Sequence, residues 1–359
     1  MKLYLVGGFL GSGKTTAILN ACTQLIRHKV NVGVITNDQG VQLVDTRFIK
    51  YANVPVMEVT DGCFCCNYNK LDDLIEILKL KDNTKVIFAE SVGSCTDMIA
   101  TVVKPLQEFR TDIETIISVF VDANVLPNIL QGTALFVDSV NYIYKKQIQE
   151  ADILVINKID TLSNTELEKM EVLVASKYPE KTVLFQNSLD EASINEWLTA
   201  LKGTKITSRD SLDIDYDVYG AGEAELAWLD LEIELFSANN NAFGEATALV
   251  NAIHSAIMDD ELSVGHLKFF IDDGLKQEKI SFTAGSQSSL ITNRKYVSAK
   301  VDILVNARVQ VAPERLEFIV LSTIKEMEKK NEYKVVQKGI SSFRPGYPNP
   351  IHRVLTKLK

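Results

Sequence analysis

Cysteine and histidine are scarce in this chain of 359 residues, at five and four copies, and no apolar run is long enough to span a bilayer. Five cysteines over this length cannot build a disulfide scaffold, so a reducing compartment is expected. The longest apolar stretch, Ile116 to Leu130, is broken by Asp122 and Pro127, which excludes a membrane helix there. Met1 to Val6 is too short for the apolar core of a secretory signal, and the glycines that begin at Gly7 interrupt it at once. A cytoplasmic protein with no membrane partner is the expectation. Positive charge is also lacking: the formal net charge of -9 argues against a nucleic-acid partner. Neither an internal repeat nor a low-complexity tract is present.

What is there is the composition of a folded chain, 46% hydrophobic and 24% charged, with a length that suggests two domains. Short, β-branched apolar runs recur at Leu3–Val6, Val32–Ile35, Val54–Val59, Lys85–Ala89, Ile116–Val121, Ile153–Ile156 and Thr182–Phe185. Continuous apolar runs of this kind suit strands buried on both faces of a parallel sheet. Amphipathic stretches alternate with them, as in Leu71–Leu78, so residues 1–205 predict an α/β doubly wound, mostly parallel domain. Residues 206–225 read as a linker. Beyond it, strand patterns at Leu226–Phe236, His266–Asp272, Lys279–Thr283 and Val301–Val309 mix with helical ones at Glu245–Met258 and Pro313–Lys329. Residues 226–359 therefore predict a smaller α+β domain, of ferredoxin-like type, with an extended proline-rich tail.

Gly8-Phe9-Leu10-Gly11-Ser12-Gly13-Lys14-Thr15 matches the eight-residue P-loop pattern and lies between the first predicted strand and helix. Glycines there let backbone N–H groups turn inward onto phosphates at the positive end of a helix. Lys14 would bridge the outer phosphates and the Thr15 hydroxyl would ligate Mg²⁺. Asn157-Lys158-Ile159-Asp160 ends a later strand of the same sheet. The Asp160 carboxylate can accept from guanine N1–H and its amino group, a donor pair adenine lacks. Asn157 would meet the base edge, with the Lys158 stem along its ring, which makes GTP the expected nucleotide. Taken alone, the tetrapeptide also reads as a helix cap. Between the two motifs, Glu90 of Glu90-Ser91-Val92-Gly93 would reach the Mg²⁺ shell and the Gly93 N–H would sense the γ-phosphate, or Ser91 or Ser94 simply caps a helix. Asp38 either orients Mg²⁺ or the attacking water, or caps a turn.

Three of the five cysteines crowd into Gly62-Cys63-Phe64-Cys65-Cys66. Thiols at this spacing suit one thiophilic ion, Zn²⁺ above all, in an open site, because no second cysteine or histidine pair follows. Buried cysteines acting as small hydrophobes are the alternative. Cys95 is a candidate to join the cluster in space, whereas Cys22 fits the core of the first helix.

Residues 7–16, 62–66, 90–93 and 157–160 together, in this order, resemble the CobW-type GTPases. These are the cobalamin-synthesis-protein and zinc-chaperone branch of the class that includes the UreG and HypB nickel chaperones. The resemblance covers roughly the first 200 residues. It implies a P-loop GTPase of SIMIBI type that hydrolyses GTP slowly with Mg²⁺ and dimerises with nucleotide. Lys14, Asp38 and Glu90 would serve catalysis. Gly8, Gly11, Ser12, Gly13, Lys14, Thr15, Thr16, Gly93, Asn157, Lys158 and Asp160 would hold the nucleotide, and Cys63, Cys65 and Cys66 would carry Zn²⁺ or Co²⁺. The implied partner is a client metalloprotein, or a corrinoid-dependent enzyme that the GTPase assembles or reactivates. A P-loop kinase is the reading from another class. The family's acidic stretch is altered here: Asp38 keeps an acid, but Thr36 and Val41 stand where acidic neighbours are common. No histidine-rich segment is present, residues 206–359 do not clearly match the C-terminal domain of the zinc chaperones, and the tail Phe343–Gly346, with Pro350–Arg353, resembles variants that accompany corrinoid-dependent methyltransferases.

Overall fold

All seven apolar runs of the first half become strands: β1 Lys2–Gly7, β2 Val32–Asn37, β3 Val56–Val59, β4 Val86–Glu90, β5 Glu114–Asp122, β6 Ile153–Asn157 and β7 Thr182–Gln186. The computed structural model describes residues 1–40, 44–52, 54–60, 62–81, 83–132, 135–205, 209–284 and 297–355. The seven strands pair in the order β3-β2-β4-β1-β5-β6-β7, every pair parallel. Parallel neighbours need crossover helices, which cover both faces and explain why β1, β2, β4, β5 and β6 are buried almost throughout. On one face the helix Lys14–Arg27 lays Ile18, Ala21 and Leu25 against Tyr4, Val6 and Phe88, beside Trp197 of the helix Glu191–Gly203. The Trp197 indole is fully buried and its N–H donates to Ser118 Oγ at 3.0 Å, so the large ring leaves no unpaired donor.

The chain runs outward from β1 through β2 to β3, returns at β4 beside β1, and then passes to β5 on its other side. The strand order thus reverses at β1. Open α/β sheets bind ligands at such a reversal, beyond the carboxyl ends of the strands.

Two compact units divide the chain: Met1–Gln39, Ile49–Gly222 and Tyr347–Lys359 form one, and Gly40–Phe48 with Glu223–Gly346 form the other. This corrects the simple partition at residues 205 and 226 in three places. The linker region holds the helix Tyr216–Ala224, while its residues 206–208 lie outside the described residues, as does Val41. Residues Gly40–Phe48 group with the second unit, where the Val44 N–H donates to Asn306 Oδ1 and Asp45 takes Lys268 and Lys279. The tail from Tyr347 groups with the first unit. A side chain on Gly220 would come within 2.8 Å of the Tyr347 ring, so the glycine makes room for that packing.

The second unit is a five-stranded antiparallel sheet of β8 Leu226–Ser237, β9 Val264–Asp272, β10 Gln277–Phe282, β11 Lys300–Gln310 and β12 Tyr333–Phe343. Its order is β10-β9-β11-β8-β12. Without the β9–β10 hairpin extension, this is the strand-helix-strand-strand-helix-strand arrangement of a ferredoxin-like fold. The helices Ala242–Asp259 and Pro313–Lys330 bury Leu249, Ile253, Leu316 and Val320 in the core they share with the sheet. Among the buried polar groups, Arg308 is fully enclosed. Its guanidinium pairs with Asp230 at 2.8 Å, donates to the Leu229 carbonyl and lies 4.0 Å from the Trp228 ring centroid. Pairing with an opposite charge is what allows a charge to sit in a core.

Candidate nucleotide site and cysteine centre

The loop after β1 turns as its glycines require. Gly8, Gly11 and Gly13 have φ of 126°, 75° and 92°, in the region that side chains disfavour. A Cβ at Gly8 would sit 2.0 Å from the Phe120 carbonyl oxygen, and one at Gly13 would sit 2.3 Å from Asn157 Nδ2. Ser12, Lys14 and Thr15 are buried, and Lys14 and Thr15 open the helix Lys14–Arg27, with Thr16 following them. The Lys14 ammonium folds back over the loop, donating to the Gly8 and Phe9 carbonyls at 2.6 and 3.2 Å. Thr15 Oγ1 donates to Glu90 Oε1 at 2.8 Å, which brings together the two residues expected around Mg²⁺ from 75 positions apart. Glu90 ends β4, next to β1, so the sheet register itself delivers the acid to the phosphate loop. Asp38 follows β2, half-buried, with its N–H on the Val59 carbonyl.

Gly93 packs directly on the phosphate loop. A Cβ there would meet Leu10 Cδ2 at 2.4 Å and Leu10 N at 3.1 Å. The Gln147 amide donates to both the Gly93 and Cys95 carbonyls, at 2.8 and 3.0 Å, and ties the two residues into one turn.

At the base-reading motif the structure separates the roles expected. Asn157 is buried. It donates to the Ser12 carbonyl at 2.8 Å and accepts from the Ser188 N–H and hydroxyl at 3.1 and 2.7 Å. The amide thus clamps the phosphate loop to the turn after β7, a role the sequence reading did not include, and it uses one of its two N–H donors to do so. Lys158 sits at φ 68°, an uncommon left-handed conformation for a side-chain-bearing residue, and pairs with Asp122 at 2.6 Å. Asp160 is exposed in the turn Ile159–Thr161, with its carboxylate on the surface of that turn. Sequence reading missed Asp122 and Ser188. Asp122 ends β5 and Ser188 follows β7, the two strands that flank β6, and only the strand order shows that they converge on the motif.

The cysteine loop follows β3. The sulfurs of Cys63, Cys65 and Cys66 lie within 4.8 Å of one another, with Cys63–Cys66 at 3.3 Å and Cys65–Cys66 at 3.7 Å. Thiolates sharing one tetrahedral zinc at about 2.3 Å stand about 3.8 Å apart, so the donor set fits such an ion with little adjustment. Asn37, at the end of β2, organises the loop: its amide donates to the Val59 and Gly62 carbonyls and accepts the Phe64 N–H. Cys63 and Cys65 are buried and Cys66 is half-buried. Hydrogen bonds to Cys63 and Cys66, then to Cys95, together with burial push the Cys65 thiol well above the ordinary thiol range. A metal bound there must displace the Cys65 proton. The returning tail lies against this loop. The Ile351 N–H donates to the Cys65 carbonyl at 3.0 Å, and Arg353 donates to the buried Asp97 at 2.8 Å.

A phosphate loop at the reversal point of a parallel sheet, with a hydroxyl and an acid converging beside it, defines a P-loop nucleotide-binding domain. No helix among the described residues is long and apolar enough to cross a membrane. The model of the CobW/HypB/UreG nucleotide-binding domain matches residues 2–185, and the chain belongs to that family. The zinc chaperone YjiA of Escherichia coli (strain K12) is 29% identical over 174 residues, covering 45% of this chain and 50% of the relative. The zinc-regulated GTPase metalloprotein activator 1 of Dictyostelium discoideum is 24% identical over 274 residues, covering 62% and 56%. The chain thus spans about half the length of the curated relatives it matches. Among solved structures, the hydrogenase maturation factor HypB from Archaeoglobus fulgidus aligns at 19% identity over 56% of this chain and 89% of its own, with a TM-score of 0.40.

Proposed function

We propose that this protein is a GTP-binding, GTP-hydrolysing metallochaperone that couples its nucleotide state to a thiophilic metal, zinc first, at Cys63, Cys65 and Cys66. The observation that carries the proposal is the three-sulfur cluster in the same unit as a complete phosphate loop. The relatives named as zinc chaperones and as a zinc-regulated GTPase activator support the choice of metal. In this reading the metal is cargo for a client metalloprotein.

The residues divide the work. Gly8, Gly11 and Gly13 shape the backbone that receives the phosphates, with the N–H groups of Ser12, Thr15 and Thr16 at the helix start. Lys14 exchanges two carbonyls for phosphate oxygens. Thr15 and Glu90, already joined, hold the Mg²⁺ that neutralises charge on the phosphates, with Asp38 at its edge. Asp160 reads guanine, and Lys158, held extended by Asp122, flanks the ring. No glutamine placed to activate water follows Glu90 in sequence, so unassisted turnover is slow.

The test combines two titrations of the reduced protein. Zn²⁺ is titrated with and without a non-hydrolysable GTP analogue, in the native protein and in Cys65→Ala. GTP binding is measured in Lys14→Ala. Zinc affinity that depends on both Cys65 and the nucleotide, and triphosphate binding abolished by Lys14→Ala, are expected. Nucleotide-blind zinc binding overturns the coupling, and unchanged GTP affinity in Lys14→Ala overturns the nucleotide site.

A further inference from the structure

Cys95 is fully buried, on the turn after β4, in hydrogen-bond contact with the Cys65 thiol. It stands outside the group of sulfurs that all lie within 4.8 Å of one another. A buried thiol serving only as a small hydrophobe packs against carbon. This one faces a soft-donor cluster that offers three ligands to an ion preferring four. Its backbone is tied to the nucleotide site twice. Gln147 holds the Cys95 and Gly93 carbonyls with one amide, and Gly93 rests on Leu10 of the phosphate loop with no space for a Cβ. A displacement at Gly93 therefore reaches Cys95 through two residues of chain and one shared side chain.

We propose that Cys95 supplies the fourth thiolate to the metal held by Cys63, Cys65 and Cys66, and that the Gly93–Cys95 turn engages or withdraws it with the nucleotide state. This rests on the metal reading above and deepens it. Four thiolates close the coordination sphere and hold the ion against water. Three leave one position open, which a client's ligand can enter. The present placement of Cys95, touching Cys65 but outside the triad, makes it the ligand whose engagement needs the least rearrangement of the other three.

X-ray absorption at the zinc edge counts the ligands directly in the intact native protein, loaded with Zn²⁺ and with either GDP or a non-hydrolysable GTP analogue. Four sulfurs in one nucleotide state are expected. In the other, three sulfurs and one oxygen or nitrogen at about 2.0–2.2 Å are expected. Cys95→Ser should show three sulfurs and one lighter atom in both states. As a second readout, its Co²⁺ complex should lose about one quarter of the thiolate charge-transfer intensity, one ligand of four. Three sulfurs in both states of the native protein overturn the assignment of Cys95. Four in both states overturn the gating. Failure of the native protein to retain any zinc overturns the metal reading itself, a separate result that these spectra distinguish.

Discussion

Asp160 and Glu150 show how differently one carboxylate behaves when exposed and when enclosed. Asp160 stands in water on its turn, so its value lies in what approaches it. Replacing it with alanine removes two hydrogen bonds to an anionic acceptor and lowers GTP affinity on the order of a hundredfold. ATP, which offers no matching donor pair, should bind Asp160→Ala as weakly as it binds the native protein. Equal losses for both nucleotides in a competition assay would place base recognition elsewhere. Glu150 is fully buried, accepting from the Ile99 N–H at 2.9 Å and Thr96 Oγ1 at 3.1 Å. Desolvation is the main reason its carboxyl is raised from 4.5 to about 7, with Asp97 nearby adding to the shift. The folded protein therefore keeps this proton between those values while the unfolded chain has released it. The resulting stability is full below about pH 4.5 and lost as pH rises through about 7, a change on the order of 3 kcal/mol. Glu150→Gln should lose that component, which thermal melts of both proteins at pH 5 and pH 8 would reveal. Parallel pH profiles would show that Glu150 ionises normally in the fold.

At the scale of elements, β1 to β7 were legible because burial on both faces leaves one visible signature, a short branched apolar run. The phosphate loop was legible because its glycines answer to local backbone geometry, as the clash of a Cβ at Gly8 with Phe120 shows. β12 was not legible. It is an edge strand largely open to water, carries Lys334 and Lys338, and shifts register between Gln337 and Gly339. Edge strands of that kind lack the alternation that marks half-buried ones. The clamp made by Asn157 was not legible for a related reason. Its partners Ser12 and Ser188 are far away in sequence and meet it only through the sheet order, so nothing local revealed the clamp. The clamp carries its own expectation. Asn157→Ala frees the Ser12 carbonyl and the Ser188 pair, and should weaken GDP and GTP, or any other nucleotide held by the phosphate loop, to a similar degree. Selective loss of guanine nucleotides, measured against their adenine counterparts, would return Asn157 to the base.

For the whole molecule, sequence order is a poor guide to membership. Gly40–Phe48 and the tail from Tyr347 each group with the unit other than the one their neighbours in sequence suggest. From residue 344 to 355 the tail forms neither helix nor strand, and its proline-rich composition could not say what it lies against. That is settled by backbone pairing, the Ile351 and Val354 N–H groups donating to Cys65 and Ala100, and by Arg353 reaching Asp97 beneath the Tyr216 ring. Removing residues 347–359 should uncover the cysteine loop. Reaction of a thiol reagent with the metal-free protein should then speed at Cys66 first and most, because it is already half-buried. An unchanged rate, with the fold intact by circular dichroism, would show that the tail does not shield the loop.

The same tail sets an order of events during synthesis. A ribosome makes a chain from its amino end, so the cysteine loop and the phosphate loop emerge long before the residues that cover the former. Until Tyr347 and its successors are added, the Cys65 carbonyl lacks the Ile351 N–H it accepts, beside a sheet that has all seven of its strands. The interval while the second unit is being translated is therefore when a newborn molecule is most open to its first metal ion, and also to oxidation.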